Sequence, residues 1–256
     1  MENSGLLDLF PLWALLLITV GVVLLSVEVG YRLGEYRRRS SEVEQEAPVG
    51  AMVGATLGLL AFMLAFTFGL AASRFEDRRQ VVLDEANAIG TTYLRAAMLP
   101  QPLGTEARAL LCEYVDVRLE AAQQGNVDQA VLKSEQLHAR LWSQAVAAAE
   151  KDRSPITGLY IQSLNEVIDL HAKRVMAAFG SRIPEAIWVA LYLLATLAML
   201  AMGYHAGLTS ARRSVAILAL ALAFSAVLYL IADLDRPGRG LLQVSQQSMI
   251  DLRKSM

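Results

Sequence analysis

The chain has 256 residues, of which 55% are hydrophobic, and its formal net charge is −2. Its mean hydropathy is positive, at +0.39. The near-neutral charge gives no field for nucleic acid, and the single cysteine, Cys112, excludes an intrachain disulfide and a thiolate metal cage.

Residues 1–10 carry Glu2 and Asp8 but no Lys or Arg, so they lack the basic start of a secretory signal. The apolar run that follows reads as a retained span over residues 9–29, since about 20 residues cross a bilayer. A second span covers residues 49–72, a third runs from Pro184 to about 204, and a fourth covers 215–232. The second and fourth contain no Asp, Glu, Lys or Arg; Glu185 stands at the start of the third and Glu28 at the end of the first. An interior charge would cost about 2.5–3.5 kcal/mol on insertion scales, so this pattern points to lipid.

Residues 74–182 show helical spacing and no strand alternation. Four helices are expected there: 74–98, ending at Pro100 and Pro102; 105–124, stopped by Gly125; 127–150; and 155–179. Ser154-Pro155 marks the last start and Gly180 its C-cap. The expected architecture is an all-α integral membrane protein. Four transmembrane helices form two pairs, with a helical domain between spans two and three. The boundaries are 1–73 for the first pair, 74–182 for the helical domain, 183–232 for the second pair and 233–256 for a tail. Both termini then share one side. Arg32, Arg37, Arg38, Arg39, Arg212 and Arg213 place the short loops in the cytoplasm and the helical domain outside.

Catalytic motifs are absent, so the chain reads as a non-enzyme with no cofactor and no metal. His138, His171 and His205 are far apart in sequence and read as surface or loop residues. In the second span, Gly50, Gly54 and Gly58 form a small-residue stripe suited to close helix packing. Stepping on by four gives Phe62, Phe66, Leu70 and Arg74. Two readings stay open for these: lipid-facing packing, or an apolar pore neck that gates by dewetting beside a basic mouth. Beyond them lies a polar segment with Glu85, Asn87, Thr91 and Arg95, and past the fourth span come Asp233, Asp235 and Arg236. The segment reads as a solvated helix face or as a fixed polar contact; the two acids read as a salt-bridged turn.

Leu64-Ala65-Phe66, Ala71-Ala72-Ser73-Arg74-Phe75, Arg78-Arg79 and the run from Glu85 to Arg95 resemble the bacterial bestrophin-like family of unknown function. Asp233-Leu234-Asp235-Arg236-Pro237, Gly240 and Val244-Ser245-Gln246-Gln247 are similar to its C-terminal signature. The resemblance implies a distant relation to bestrophins, pentameric anion channels with an apolar neck in the second span. It implies a homo-oligomer in the bilayer of the bacterial inner membrane, with inorganic anions as the permeant class. It also implies a cytoplasmic helical domain, opposite to the charge count. The calcium clasp of bestrophins has no counterpart in this sequence. The alternative is a non-conducting scaffold or sensor that binds a partner through its helical domain.

Overall fold

The computed structural model describes residues 10–40, 46–179, 182–209, 215–236 and 240–256. Among them are eight helices and no strand. They are α1 (Leu12–Arg39), α2 (Glu46–Ala96), α3 (Leu103–Gln124), α4 (Val127–Lys151), α5 (Pro155–Phe179), α6 (Glu185–Leu208), α7 (Val215–Asp235) and α8 (Gln247–Ser255). Four of them, α1, α2, α6 and α7, are long and apolar enough to cross a membrane. The expected cap at Gly180 and the basic pair Arg212 and Arg213 lie outside the described residues, as do Pro237 and Arg239.

Helix α1 runs ten residues past its expected end, so Arg32 and Arg37–Arg39 occupy its last turns and not a loop. Ion pairs one turn apart support this extension: Arg32 to Glu28 at 2.8 Å and Arg39 to Glu35 at 2.6 Å. The three arginines also meet the negative end of the helix dipole. Elsewhere the punctuation acts as its chemistry requires. Gly125 ends α3 with φ at 72°, a left-handed conformation that glycine adopts without a Cβ penalty.

The chain divides into two compact units, and the division falls inside α2, between Ser73 and Arg74. The first unit holds residues 1–73 and 182–242. Its buried side chains include Leu60, Leu64 and Ala71 of α2, Leu191, Ala195 and Met199 of α6, and Leu228 and Ile231 of α7. Four hydroxyls buried among them bond to carbonyls of their own helices: Thr19 to Leu15, Ser26 to Val22, Thr67 to Met63 and Ser225 to Ala221. This satisfies polar groups that lipid could not.

Helices α1 and α6 approach through glycines on both sides. A Cβ at Gly30 would collide with the Leu200 carbonyl oxygen, and one at Gly34 with that of Tyr204. Reciprocally, a Cβ at Gly203 would meet the Val27 carbonyl oxygen and one at Gly207 that of Tyr31. Two Gly-x-x-x-Gly pairs thus interlock, which brings the backbones into contact. Close packing inside the chain therefore uses these glycines. Among the described residues, Gly54 and Gly58 meet no atom within 4 Å, and the nearest atoms to a Cβ at Gly50 are those of the His205 ring.

The second unit holds residues 74–181 and 243–256. Its core is built from Ile89, Leu111, Tyr114, Val115, Leu141, Tyr160, Leu164, Val167 and Met249. Helix α8 is tied to this unit at several points. Arg253 grips Asp116 with two bonds, at 2.7 and 3.0 Å. Tyr93 donates to the Met256 carbonyl, and Arg108 lies over the Tyr93 ring at 4.2 Å.

Candidate functional site: a buried polar cluster and an exposed helix face

The apolar periodicity of α2 continues past Arg74 and turns Glu85 inward beside Ala86 and Ile89. Glu85 is 0% exposed. A carboxylate there must be compensated, because burying an unpaired charge is prohibitive. Tyr114 of α3 donates to its Oε1 at 2.6 Å, and Arg174 of α5 donates to Oε2. Arg118, one turn after Tyr114, stands 3.6 Å from Oε1. Arg174 also donates to Gln246 at 2.8 Å, joining the C-terminal segment to the cluster.

Two histidines complete it. The rings of His138 on α4 and His171 on α5 lie 4.9 Å apart and nearly perpendicular, at 85°. Both are buried, which corrects their expected surface or loop position. Helix packing, not sequence proximity, brings them together. Since Tyr114 spends its one hydroxyl proton on Glu85, the 3.1 Å contact to His171 Nδ1 has the imidazole as donor. This leaves His171 Nε2 as a bare lone pair, and it has no partner among the described residues.

The electrostatics follow from the geometry. Burial pushes the Glu85 carboxyl up, but the charges of Arg174 and Arg118 and the bonds from Tyr114 and Arg174 hold it below its ordinary value. Burial, reinforced by Glu85, drives the Tyr114 phenol well above 10. Burial chiefly, with help from Arg118, lowers both His138 and His171 from 6.5 to about 4. Both rings are therefore neutral at pH 7, while in the unfolded chain they take protons below about 6.5. Folded values depressed in this way give stability that is complete above 6.5 and lost as the pH falls through 4. Each ring should contribute about 3 kcal/mol over that window. Melting the full chain in detergent at stepped pH should show this decline, and His138→Phe should flatten it. An unchanged slope in that variant would remove His138 from the cause.

The remaining polar residues divide. Arg95 donates to the Leu159 carbonyl at 2.7 Å, fixing α2 to α5. Asn87 and Thr91 lie on the exposed face of α2. Asp233 accepts the backbone amides of Leu241 at 2.7 Å and Leu242 at 3.1 Å. A Cβ at Gly240 would strike its carboxylate, so only glycine permits this turn. Asp235 accepts the Ile183 amide at 2.9 Å, and Arg236 donates to the Phe10 carbonyl at 2.9 Å. Asp235 and Arg236 thus tie the end of α7 to the segments that lead into α6 and α1, while Asp233 holds the chain after α7. Among the described residues, no group of three or more His, Cys, Asp or Glu could hold a metal.

In the membrane-length part of α2, Phe62 and Phe66 are each 65% exposed. Among the described residues, nothing lies within 4 Å of a Cβ placed at Gly54, Gly58 or Gly69. Leu70 and Arg74 are half-buried. Steps of four residues drift about 40° around a helix at 3.6 residues per turn, so three steps from Phe62 bring Arg74 to another face.

The sequence reading gave no role to Tyr114, Arg118 and Arg174, set His138 and His171 aside as surface or loop residues, and named Gln246 only within the family signature. Only Tyr114 with Arg118 and His171 with Arg174 carried a local signal, a shared helix face.

Comparisons with known proteins agree with this architecture. The bestrophin-like domain family matches residues 17–249. A bacterial bestrophin homologue from Klebsiella pneumoniae, solved as a point variant, superposes with a TM-score of 0.65 at 15% identity, covering 95% of this chain and 96% of that one. A second variant from that organism gives 0.57 at 16%, covering 93% and 98%. A crystal structure described as a membrane protein gives 0.65 at 15%, covering 95% of each chain. No curated protein matches the sequence. With a family match over most of its length and four helices of membrane-spanning length, this chain is a membrane protein that belongs to the bestrophin-like domain family.

Proposed function

We propose that the protein is a homo-oligomeric channel of the bacterial inner membrane, not an enzyme. Its four spans cross as two sequential pairs, α1 with α2 and α6 with α7. The observation that carries this reading is the uncovered face of α2. One side of that helix buries Leu60, Leu64, Thr67 and Ala71, while Phe62 and Phe66 stand out at 65% exposure with small residues beside them. Copies arranged around an axis would face that side inward, and the two phenylalanines would form a narrow apolar section that opposes ions when dry. Inorganic anions are the permeant class implied by the family, with Arg74 as the basic residue nearest the neck.

Flux from liposomes tests it. Phe62→Ala combined with Phe66→Ala should raise flux at least several-fold over the parent, because removing the rings lets water stay in the neck. Arg74→Glu should shift selectivity toward cations. If no variant conducts above empty liposomes while the protein is folded and oligomeric, the non-conducting scaffold replaces the channel. That second reading draws support from Leu132, Trp142 and Val146, exposed apolar side chains on α4 of the helical unit.

A further inference from the structure

The buried cluster around Glu85 does not balance its charges. Among the described residues, the titratable groups that face one another there are Glu85 from α2, Tyr114 and Arg118 from α3, His138 from α4, and His171 and Arg174 from α5. Among the described residues, Glu85 is the carboxylate that acts on Arg118. One carboxylate thus faces two guanidiniums, with two neutral imidazoles and a neutral phenol. Glu85 is committed to Tyr114 and Arg174 by hydrogen bonds, and Arg174 is further committed to Gln246. Arg118 is the cation in excess. It is 5% exposed, and its Nε has no hydrogen-bond partner among the described residues.

Three more polar atoms in the same part of the bundle share that condition. They are His138 Nε2, His171 Nε2 and, one turn before His138 on α4, Ser134 Oγ. Their residues are 7%, 5% and 0% exposed. Buried polar atoms are nearly always satisfied, so these four without a hydrogen-bond partner among the described residues, one of them on the excess cation, point to a ligand. A metal cation is disfavoured by Arg118 and Arg174. A small acceptor of negative charge fits, since Arg118, Ser134 and one tautomer of His138 are all donors.

We propose that Arg118, Ser134 and His138 bind a small inorganic monoanion of halide size inside the helical unit, and that His171 takes a proton from solvent as it binds. The bare Nε2 of His171 would repel an anion; once protonated, it becomes another donor. Proton and anion then enter together and add no net charge. Anion binding should accordingly tighten as pH falls. The site is separate from the α2 neck, so its occupancy does not depend on whether the protein conducts.

The test compares sodium bromide with sodium gluconate at equal ionic strength, on the full chain in detergent. Bromide should raise Tm by about 3–5 °C at about pH 7.5, and by more at about pH 5.5. Arg118→Gln should lose most of that difference. Should Arg118→Gln fail to fold, His138→Phe gives the same comparison. Crystals of the parent soaked in bromide should show an anomalous peak within hydrogen-bond reach of Arg118 Nε. Equal Tm in the two salts, a bromide shift retained in a folded variant, or no peak at Arg118 would each overturn the proposal.

Discussion

Glu85→Ala should destabilise the helical unit by about 3–5 kcal/mol, the range expected when one partner of a buried ion pair is removed. The substitution deletes a fully buried carboxylate that receives Tyr114 and Arg174 and faces Arg118. Two guanidiniums are then left in the bundle with no counter-charge, and Tyr114 loses its acceptor. Glu106→Ala supplies the comparison, because Glu106 makes an exposed contact with Gln144 at 2.9 Å. Exposed contacts of this kind return about 0–1 kcal/mol. Thermal melts in detergent should place the two variants about 10 °C or more apart. Glu85→Gln should fall between them, since it keeps the shape and an acceptor but not the charge. Coincident melting of Glu85→Ala and Glu106→Ala would mean that the cluster does not hold the unit together.

Most of the helices were legible because local chemistry fixes them. Apolar runs without charge gave the four membrane-length helices, and proline and glycine gave the edges of α3, α4 and α5. The end of α1 was not legible from hydropathy. There the helix continues through charged residues, held by pairs such as Arg32 with Glu28. Hydropathy reports the solvent around a helix, not where its hydrogen bonding stops. The Glu85 cluster was half legible. A dense polar segment signalled some fixed contact, but Tyr114, His138 and His171 come from three further helices. Their meeting depends on how those helices pack, and spacing along the chain carries no trace of it. The family resemblance rested on residues whose structural work is now plain. Asp233 and Gly240 form one turn, and Asp235 anchors the segment that leads into α6.

The glycines show the opposite case, a close contact within the chain that was present in the sequence and not singled out there. Gly30 with Gly34 and Gly203 with Gly207 have the four-residue spacing of a close crossing. The stripe in α2 has it too, and spacing alone cannot say which stripe meets a partner within the chain. Gly203→Leu should therefore be strongly damaging to the membrane unit. Its Cβ alone would overlap the Val27 carbonyl oxygen, and backbone cannot rotate away as a side chain can. Overpacking against side chains costs about 1–3 kcal/mol, and a backbone collision stands at or above the upper end of that range. The expected result is loss of folded protein in the membrane, read as the monodisperse fraction extracted in detergent. Gly203→Ala should show a graded form of the same loss. Gly54→Leu meets open space within one chain, so the fold should persist. In the proposed oligomer, any effect of Gly54→Leu should then appear in oligomer mass, since no described atom of its own chain lies within 4 Å of that position. Folded protein recovered at parental yield from Gly203→Leu would show that α1 and α6 do not cross through these glycines.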